Sequence, residues 1–511
     1  MVVGPRGDID FLRSARSVRL TARVDLLPDW IPNWIGGREH AALAGGMFDK
    51  LNPADGQGLC HVARSHFGDV DRAVTVARAA QTNWACLSPV RRGMILHAVA
   101  LGLKRERERI AGIVSLETGK SYSSALGETD GAIELGFFFA GEGQRLYGRT
   151  MTSGAPDRYA MTVRQPMGVA GLIVAANTPI ANVAWKVFPA LICGNTAILK
   201  AAEDTPATAW AFAQIAHGEG LPPGVLNVVQ GYGEEAGAPL IAHAGVDVVS
   251  FTGSTAVGRR IGAVAGERLA KVSLELGGKN PLVVCDDADL ENASRWVLLS
   301  AFSNAGQRCA AGSRIIIFEA VYEKFRALLI DRAQKLKVGP TDNDDLGPVI
   351  NERQLNAMLN AVDGARRRGA KILTGGLRLT DPDHKHGFYM APTLIEGADA
   401  QDEISTTELF GPIACLYRAK DFPSALAMAN DSPYGLTACI HTRSLDRAVE
   451  FAQKVQAGVA VVNAGTYGSE SHMPFGGLKQ SGNGSREPGT EALDVYSSLK
   501  DIYVTIDPAG L

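Results

Sequence analysis

The sequence predicts an α/β protein of two doubly wound units with an added β element, and three observations carry that expectation. From about residue 166 onward, apolar strand-like runs alternate with helical segments, the signature of a parallel sheet covered on both faces. Near residue 280 the alternation starts again with new strands. Glycine is abundant, 57 of 511 residues, while aromatics make up only 7%, a balance that suits many tight strand–helix turns.

Residues 1–32 read as an irregular extension rich in Arg and Asp. Asp8 and Asp10 stand there among arginines with no apolar core, so no secretory signal is expected. Residues 34–38 read as a strand leading to a turn at 52–56, and residues 69–85 as a helix with Asp69 or Asp71 near its N-cap. Several helical patterns follow over 89–145. The runs 169–174, 197–199, 225–229, 246–251 and 272–276 read as strands, with a helix over 205–218. Residues 33–148 and 166–275 are therefore expected to form a dinucleotide-binding domain.

The second unit, 276–485, is expected to be the catalytic domain. It opens with a strand over 281–285, a helix over 289–304 and a strand over 314–318. A helix over 320–336 then places Val321, Phe325, Leu328, Leu329 and Leu336 on one face. Residues 149–165 lack helical periodicity and suit a protruding hairpin. The tail 496–506 has strand composition and no neighbour left in sequence. An unpaired edge is a liability, so this tail is expected to pair with the hairpin or with another subunit. Segments 149–165 and 486–511 thus form an expected oligomerisation arm.

A formal net charge of −3 gives no electrostatic draw to nucleic acid or to an anionic membrane. The basic run 366–368 reads as a solvated helix end. No apolar run approaches the roughly 18–20 residues of a membrane span. Seven cysteines are scattered without a Cys-x-x-Cys pair, which suits neither a disulfide framework nor a zinc site. A reducing cytoplasm is the expected location. His384, His386 and His472 lie in loops without metal-ligand partners nearby and read as surface residues.

Two segments carry chemistry. In Gly306-Gln307-Arg308-Cys309 a cysteine stands in a small-residue loop between a helix and a strand, a type of junction where α/β folds place ligands. Arg308 would favour its thiolate, although an isolated cysteine is ordinarily a core residue. Earlier, Glu275 ends an apolar strand and is followed by Gly277 and Gly278. Burying a carboxylate costs free energy unless it is paired or has a task, and burial would raise its pKa toward that of a useful base. A strand-edge glutamate facing water is the other reading.

The motif Glu275-Leu276-Gly277-Gly278-Lys279, with Gly306-Gln307-Arg308-Cys309 placing the cysteine 34 positions after the glutamate, resembles the aldehyde dehydrogenase superfamily. Further matches follow in order: Asn177-Thr178-Pro179, Gly194-Asn195-Thr196, Leu199-Lys200, Phe251-Thr252-Gly253-Ser254, Glu408-Leu409-Phe410-Gly411-Pro412, Pro433-Tyr434-Gly435 and Pro474-Phe475-Gly476-Gly477. The resemblance spans about 450 residues.

It implies that Cys309 attacks an aldehyde to form a thiohemiacetal, with the Asn177 amide and the Cys309 backbone N–H as the oxyanion hole. Hydride then leaves to NAD or NADP, and Glu275 activates the water that hydrolyses the thioester. Gly253 and Ser254 would hold the pyrophosphate at a helix N-terminus. Lys200 and Glu203 would meet the adenosine ribose, where the acidic Glu203 favours NAD over NADP. Glu408 would hold the nicotinamide ribose, with Phe410 near the ring. Arg308 could pair with a carboxylate on the substrate, as expected for a semialdehyde. Family members are usually homodimers or homotetramers. Two departures stand out: Ala175-Ala176 replaces the frequent Pro-Trp before the asparagine, and Ala201 replaces a proline after Lys200. A CoA-acylating relative, and a non-catalytic binding protein on the same scaffold, are the rival readings. Glu275 argues against the first; the presence of Cys309, Asn177 and Glu275 argues against the second.

Overall fold

The computed structural model describes residues 26–510; most of the expected N-terminal extension lies outside them. Two seven-stranded sheets organise the described chain. In the first, five parallel strands lie in the order Lys271–Glu275, Val248–Thr252, Val169–Ile173, Thr196–Lys200, Leu226–Val229. The chain winds outward from Val169–Ile173 to Leu226–Val229, then returns to Val248–Thr252 on the other side. The topological switch point therefore falls between Val169–Ile173 and Val248–Thr252, where open α/β sheets form their ligand crevice. The hairpin Asn33–Ile35 and Arg38–His40 closes the far edge in antiparallel sense, so the expected strand at 34–38 is a turn flanked by two short strands.

The mixed α/β class with parallel sheets is borne out, and the burial pattern gives its reason. Every residue of Val169–Ile173, Thr196–Lys200 and Asn280–Val284 is buried, because helices cover both faces. Ala170, Leu172, Ala197 and Leu199 point into one apolar layer with Trp84, Phe139, Phe188 and Phe212. Val169, Ile173 and Ile198 point into the other with Val70, Val74, Leu240 and Ile261.

The second sheet runs Lys371–Thr374, Thr393–Glu396, Ile413–Ala419, Gly312–Phe318, Asn280–Val284, Thr437–His441, Val459–Val462. Only Lys371–Thr374 is antiparallel to its neighbour. Leu282, Val284, Ile315 and Ile317 face a layer with Phe325 and Leu329 of the helix Glu319–Gln334. Val283, Ile316 and Phe318 face the opposite layer.

A three-stranded sheet joins distant parts of the chain. The tail Ser497–Thr505 pairs antiparallel along Arg158–Pro166, which also carries Thr150–Met151. Of the two partners expected for the tail, the structure supplies the hairpin. At the first helix, Phe67–Cys86, the N-cap is His66, and Asp69 lies near it as expected, three residues in, its carboxylate accepting from the His66 backbone N–H at 3.1 Å. The expected helix 289–304 stops at Phe302, because Asn304 and Ala305 take left-handed φ of 55° and 53°. Residues 366–368 are solvent-exposed at a helix end. His384, expected at the surface, is half-buried instead, hydrogen-bonded to Asp381 and the Val338 carbonyl and set edge-on to Tyr389. No helix among the described residues is long and apolar enough to cross a membrane.

Candidate active site

The crevice gathers residues from the carboxyl ends of the first sheet's strands. Lys200 ends one strand; Gly253 and Ser254 follow another; Glu275 ends a third; Asn177 stands shortly after Ile173. Cys309 comes from the opposite direction. Its loop precedes Gly312–Phe318 and so lies at the amino end of a strand, not at the carboxyl end to which the crevice rule applies. It reaches the crevice because the amino ends of Asn280–Val284 and Gly312–Phe318 meet the carboxyl ends of the first sheet. The Asn177 Nδ2 spans that junction, donating to the Gln307 carbonyl at 3.0 Å.

The Cys309 loop is pinned at several points. Asn280 Nδ2 donates to the Cys309 and Ala311 carbonyls at 2.7 and 2.9 Å. Thr466 Oγ1 donates to the Ala310 carbonyl at 2.6 Å. Gln307 donates to the Pro348 carbonyl and accepts from the Ile350 N–H. Gly278 is needed here, since a Cβ would stand 2.7 Å from the Cys309 carbonyl oxygen. Burial, then the charges of Glu408 and Glu275, push the Cys309 thiol up to about 12. The resting group is a thiol, and attack requires a base within reach.

Glu275 is suited to that task. Both carboxylate oxygens are buried and neither has a hydrogen-bond partner. Burial, with the neighbouring Glu487 adding to it, holds its pKa well above the usual carboxylate range, while Lys186 and Arg486 oppose the shift. A side chain at Gly476 would place its Cβ 2.9 Å from Glu275 Oε1, so the glycine keeps that space open.

Groups suited to a dinucleotide line the same crevice. Ser254 is the N-cap of the helix Thr255–Glu267 and accepts from the Val257 N–H at 3.4 Å, leaving a helix N-terminus facing outward for a phosphate. Lys200 Nζ donates to Glu203 Oε2 at 3.0 Å. Burial works against the Glu203 charge, but Lys200 and a backbone N–H outweigh it, and the pKa lies below its ordinary value. Glu408 accepts from the Gly278 N–H at 3.0 Å, and burial raises it to about 7. A Cβ at Gly277 would fall 1.9 Å from Glu408 Oε2, so only glycine admits the carboxylate there. Phe410 holds a left-handed φ of 55° beside it. This donor and acceptor set fits a dinucleotide.

Arg308 makes no ion pair among the described residues. Its guanidinium stands 4.8 Å from the Tyr467 ring centroid, and its buried Nε has no hydrogen-bond partner. Among the described residues no carboxylate lies within ion-pair distance of it. Trp185 and Phe475 stack obliquely nearby, in an apolar cluster with Ala310, Cys309 and Tyr467. No group of His, Cys, Asp or Glu suited to a metal occurs among the described residues.

Sequence reasoning missed the supporting residues Asn280, Thr466, Lys186 and Glu487. Asn280 directly follows the Glu275–Lys279 motif and could have been found there. The others carry no local signal, because their partners are distant in sequence.

Comparison with known proteins identifies the family. The aldehyde dehydrogenase family model matches residues 41–502. The chain is 38% identical to an alpha-ketoglutaric semialdehyde dehydrogenase of Bacillus subtilis, covering 92% of this chain and 97% of that protein. It is also 38% identical to aldehyde dehydrogenase 1A1 of Rattus norvegicus, covering 93% and 94%. A crystal structure of betaine aldehyde dehydrogenase from Staphylococcus aureus in complex with NAD+ superposes with a TM-score of 0.91 at 33% identity, covering 93% of this chain and 95% of that one. On sequence and fold together, the chain belongs to the aldehyde dehydrogenase family, oxidoreductases acting on aldehydes.

Proposed function

We propose that the protein oxidises a carboxylate-bearing aldehyde to the acid, using NAD, through a thioester on Cys309. The observation that carries the mechanism is the convergence of Cys309, Asn177 and a buried, unpartnered Glu275 on one crevice. Glu275 takes the thiol proton, and the sulfur adds to the aldehyde carbon. The new oxyanion is held by the Asn177 amide and the Cys309 backbone N–H. Asn177 Nδ2 carries two hydrogens, and one bond to Gln307 leaves the other for the oxyanion.

Bound in the crevice, NAD supplies the hydride acceptor. Lys200 and Glu203 would hold its adenosine ribose, Gly253 and Ser254 its pyrophosphate and Glu408 its nicotinamide ribose, and Phe410 would pack near the ring. The ionised Glu203 would repel a 2′-phosphate, which favours NAD over NADP. Once it has released the thiol proton to solvent, Glu275 deprotonates the water that hydrolyses the thioester, and that proton returns to the departing Cys309 sulfur. That base role distinguishes this reading from transfer to CoA.

Arg308 carries the substrate class. A buried guanidinium nitrogen with no partner leaves a donor unused, and a substrate carboxylate would satisfy it. The alpha-ketoglutaric semialdehyde dehydrogenase among the relatives supports the same class. We assign the first sheet and its helices to cofactor binding, the second to catalysis, and the three-stranded sheet to subunit association. A reducing cytoplasm accords with seven free cysteines.

Two variants test the proposal. Cys309→Ala should abolish NADH formation while NAD still binds; continued turnover would sink the mechanism. Arg308→Ala should lower kcat/KM about 10- to 100-fold for aldehydes with a distal carboxylate, the scale of a charge-assisted hydrogen bond, and leave uncharged aldehydes unaffected. An unchanged preference would remove the carboxylate from the substrate.

A further inference from the structure

Two buried charges outside the reacting groups close on the backbone of the Asn177 loop. Lys120 follows the helix Arg107–Thr118, and Glu128 lies on the next helix, Tyr122–Glu142. Their side chains are 6% and 7% exposed and pair at 2.6 Å. Each has a second partner in the loop. Lys120 Nζ donates to the Asn177 carbonyl at 2.8 Å. Glu128 Oε1 accepts from the Ile180 N–H at 3.0 Å and the Ala181 N–H at 3.4 Å.

Those N–H groups belong to the first turn of the helix Pro179–Ile192. A helix start leaves its first N–H groups without intrahelical partners, and the N-cap residue Thr178 makes no side-chain cap bond. Glu128 supplies the missing cap from another helix, where the helix dipole also favours a negative charge. The pair thus holds the chain on both sides of Thr178: the carbonyl of Asn177 before it, the amides of Ile180 and Ala181 after it.

Stability alone does not explain the arrangement. A buried ion pair replaced by apolar side chains of similar volume is often no less stable. Apolar residues would join the same helices, but they could not grip polar backbone groups on either side of Thr178. That grip matters because Asn177 projects between two sheets toward the Gln307 carbonyl.

We propose that Lys120 and Glu128 are positioning residues for the oxyanion hole, holding the Asn177 loop so that its amide stays aimed at the oxygen forming on the Cys309 adduct. The proposal rests on the reading of Asn177 as the oxyanion donor.

A double-mutant cycle of Glu128→Ala and Asn177→Ala tests it, read by the rate of the pre-steady-state NADH burst, the KM for aldehyde and the Kd for NAD. Glu128→Ala should slow the burst about 10- to 100-fold, the scale of a small misplacement near reacting atoms. KM and the Kd for NAD should stay within about twofold, since a uniform binding loss would show in KM instead. Asn177→Ala should slow the burst about 100- to 1,000-fold. The double variant should be no slower than Asn177→Ala alone, because the two act through one group.

Additive losses would overturn the positioning role while leaving Asn177 in place. An undiminished burst in Asn177→Ala would overturn the oxyanion reading itself. Glu128→Gln, nearly the same shape and still able to cap Ile180, guards against a folding failure of the alanine variant. It should run between the parent and Glu128→Ala, and parental speed for both Glu128 variants would overturn the proposal.

Discussion

Glu275 and Cys309 illustrate how far one environment moves two side chains from their solution chemistry. Burial lifts both: the thiol to about 12, the carboxyl well above its ordinary range. A stronger base beside a reluctant acid is a workable pair, because proton transfer becomes less uphill as the base's pKa rises. The sign of the pH dependence follows. The basic form of Glu275 grows as pH rises through its raised pKa, so steady-state turnover limited by thioester hydrolysis should increase with pH over that range. Glu275→Gln should slow both the NADH burst and the later steady state by about 100-fold or more, and lose this pH limb. Stopped-flow absorbance of NADH reads all three. A parental burst followed by a slow steady state would confine the base to thioester hydrolysis. These residue identities were legible in the sequence as motifs. The missing partners of Glu275 and of Arg308 were not, since an unpaired group is defined by everything that folds around it.

At the scale of elements, the helix Pro179–Ile192 is the hinge between the site and the core. Lys186 on that helix is 1% exposed and meets Glu487 at 2.8 Å, itself fully buried. Ser250 and Tyr496 also donate to Glu487 at 2.9 Å each. One carboxylate thereby joins the helix, the strand Val248–Thr252 and the C-terminal segment. Glu487→Gln should leave the Lys186 charge buried without a counter-charge and cost about 3–5 kcal/mol of stability. Chemical denaturation followed by far-UV circular dichroism measures it. Adding Lys186→Met should recover part of the loss; no recovery would mean that the pair is not the source. The strands were legible as apolar runs. Helix ends were less so: Asp69 marked the start of the first helix, where it accepts from the N-cap His66, but Asn304, expected within a helix, lies beyond its end with a left-handed φ.

For the whole molecule, the three-stranded sheet is the feature with an open edge. Ser497–Thr505 pairs with Arg158–Pro166 on one side only. Leu499 is 63% exposed and Tyr503 62%, an apolar edge that natural proteins ordinarily cover or charge. Association of subunits through this sheet predicts that Leu499→Glu with Tyr503→Glu lowers the molar mass seen by light scattering while the chain stays folded by circular dichroism. An unchanged mass would move the interface elsewhere.

By itself the sequence determined the α/β class and the chain order of the reactive residues. Strand periodicity and short motifs such as Glu275-Leu276-Gly277-Gly278 are local, and local patterns survive in one dimension. Only the tertiary structure decided that Cys309 enters the crevice from the amino end of a strand in the second sheet, that Arg308 finds no carboxylate, and that Lys120 and Glu128 close on the Asn177 loop. Those facts depend on chain segments up to about 190 residues apart being packed against one another, where burial and the supply of hydrogen-bond partners fix each group's charge and direction.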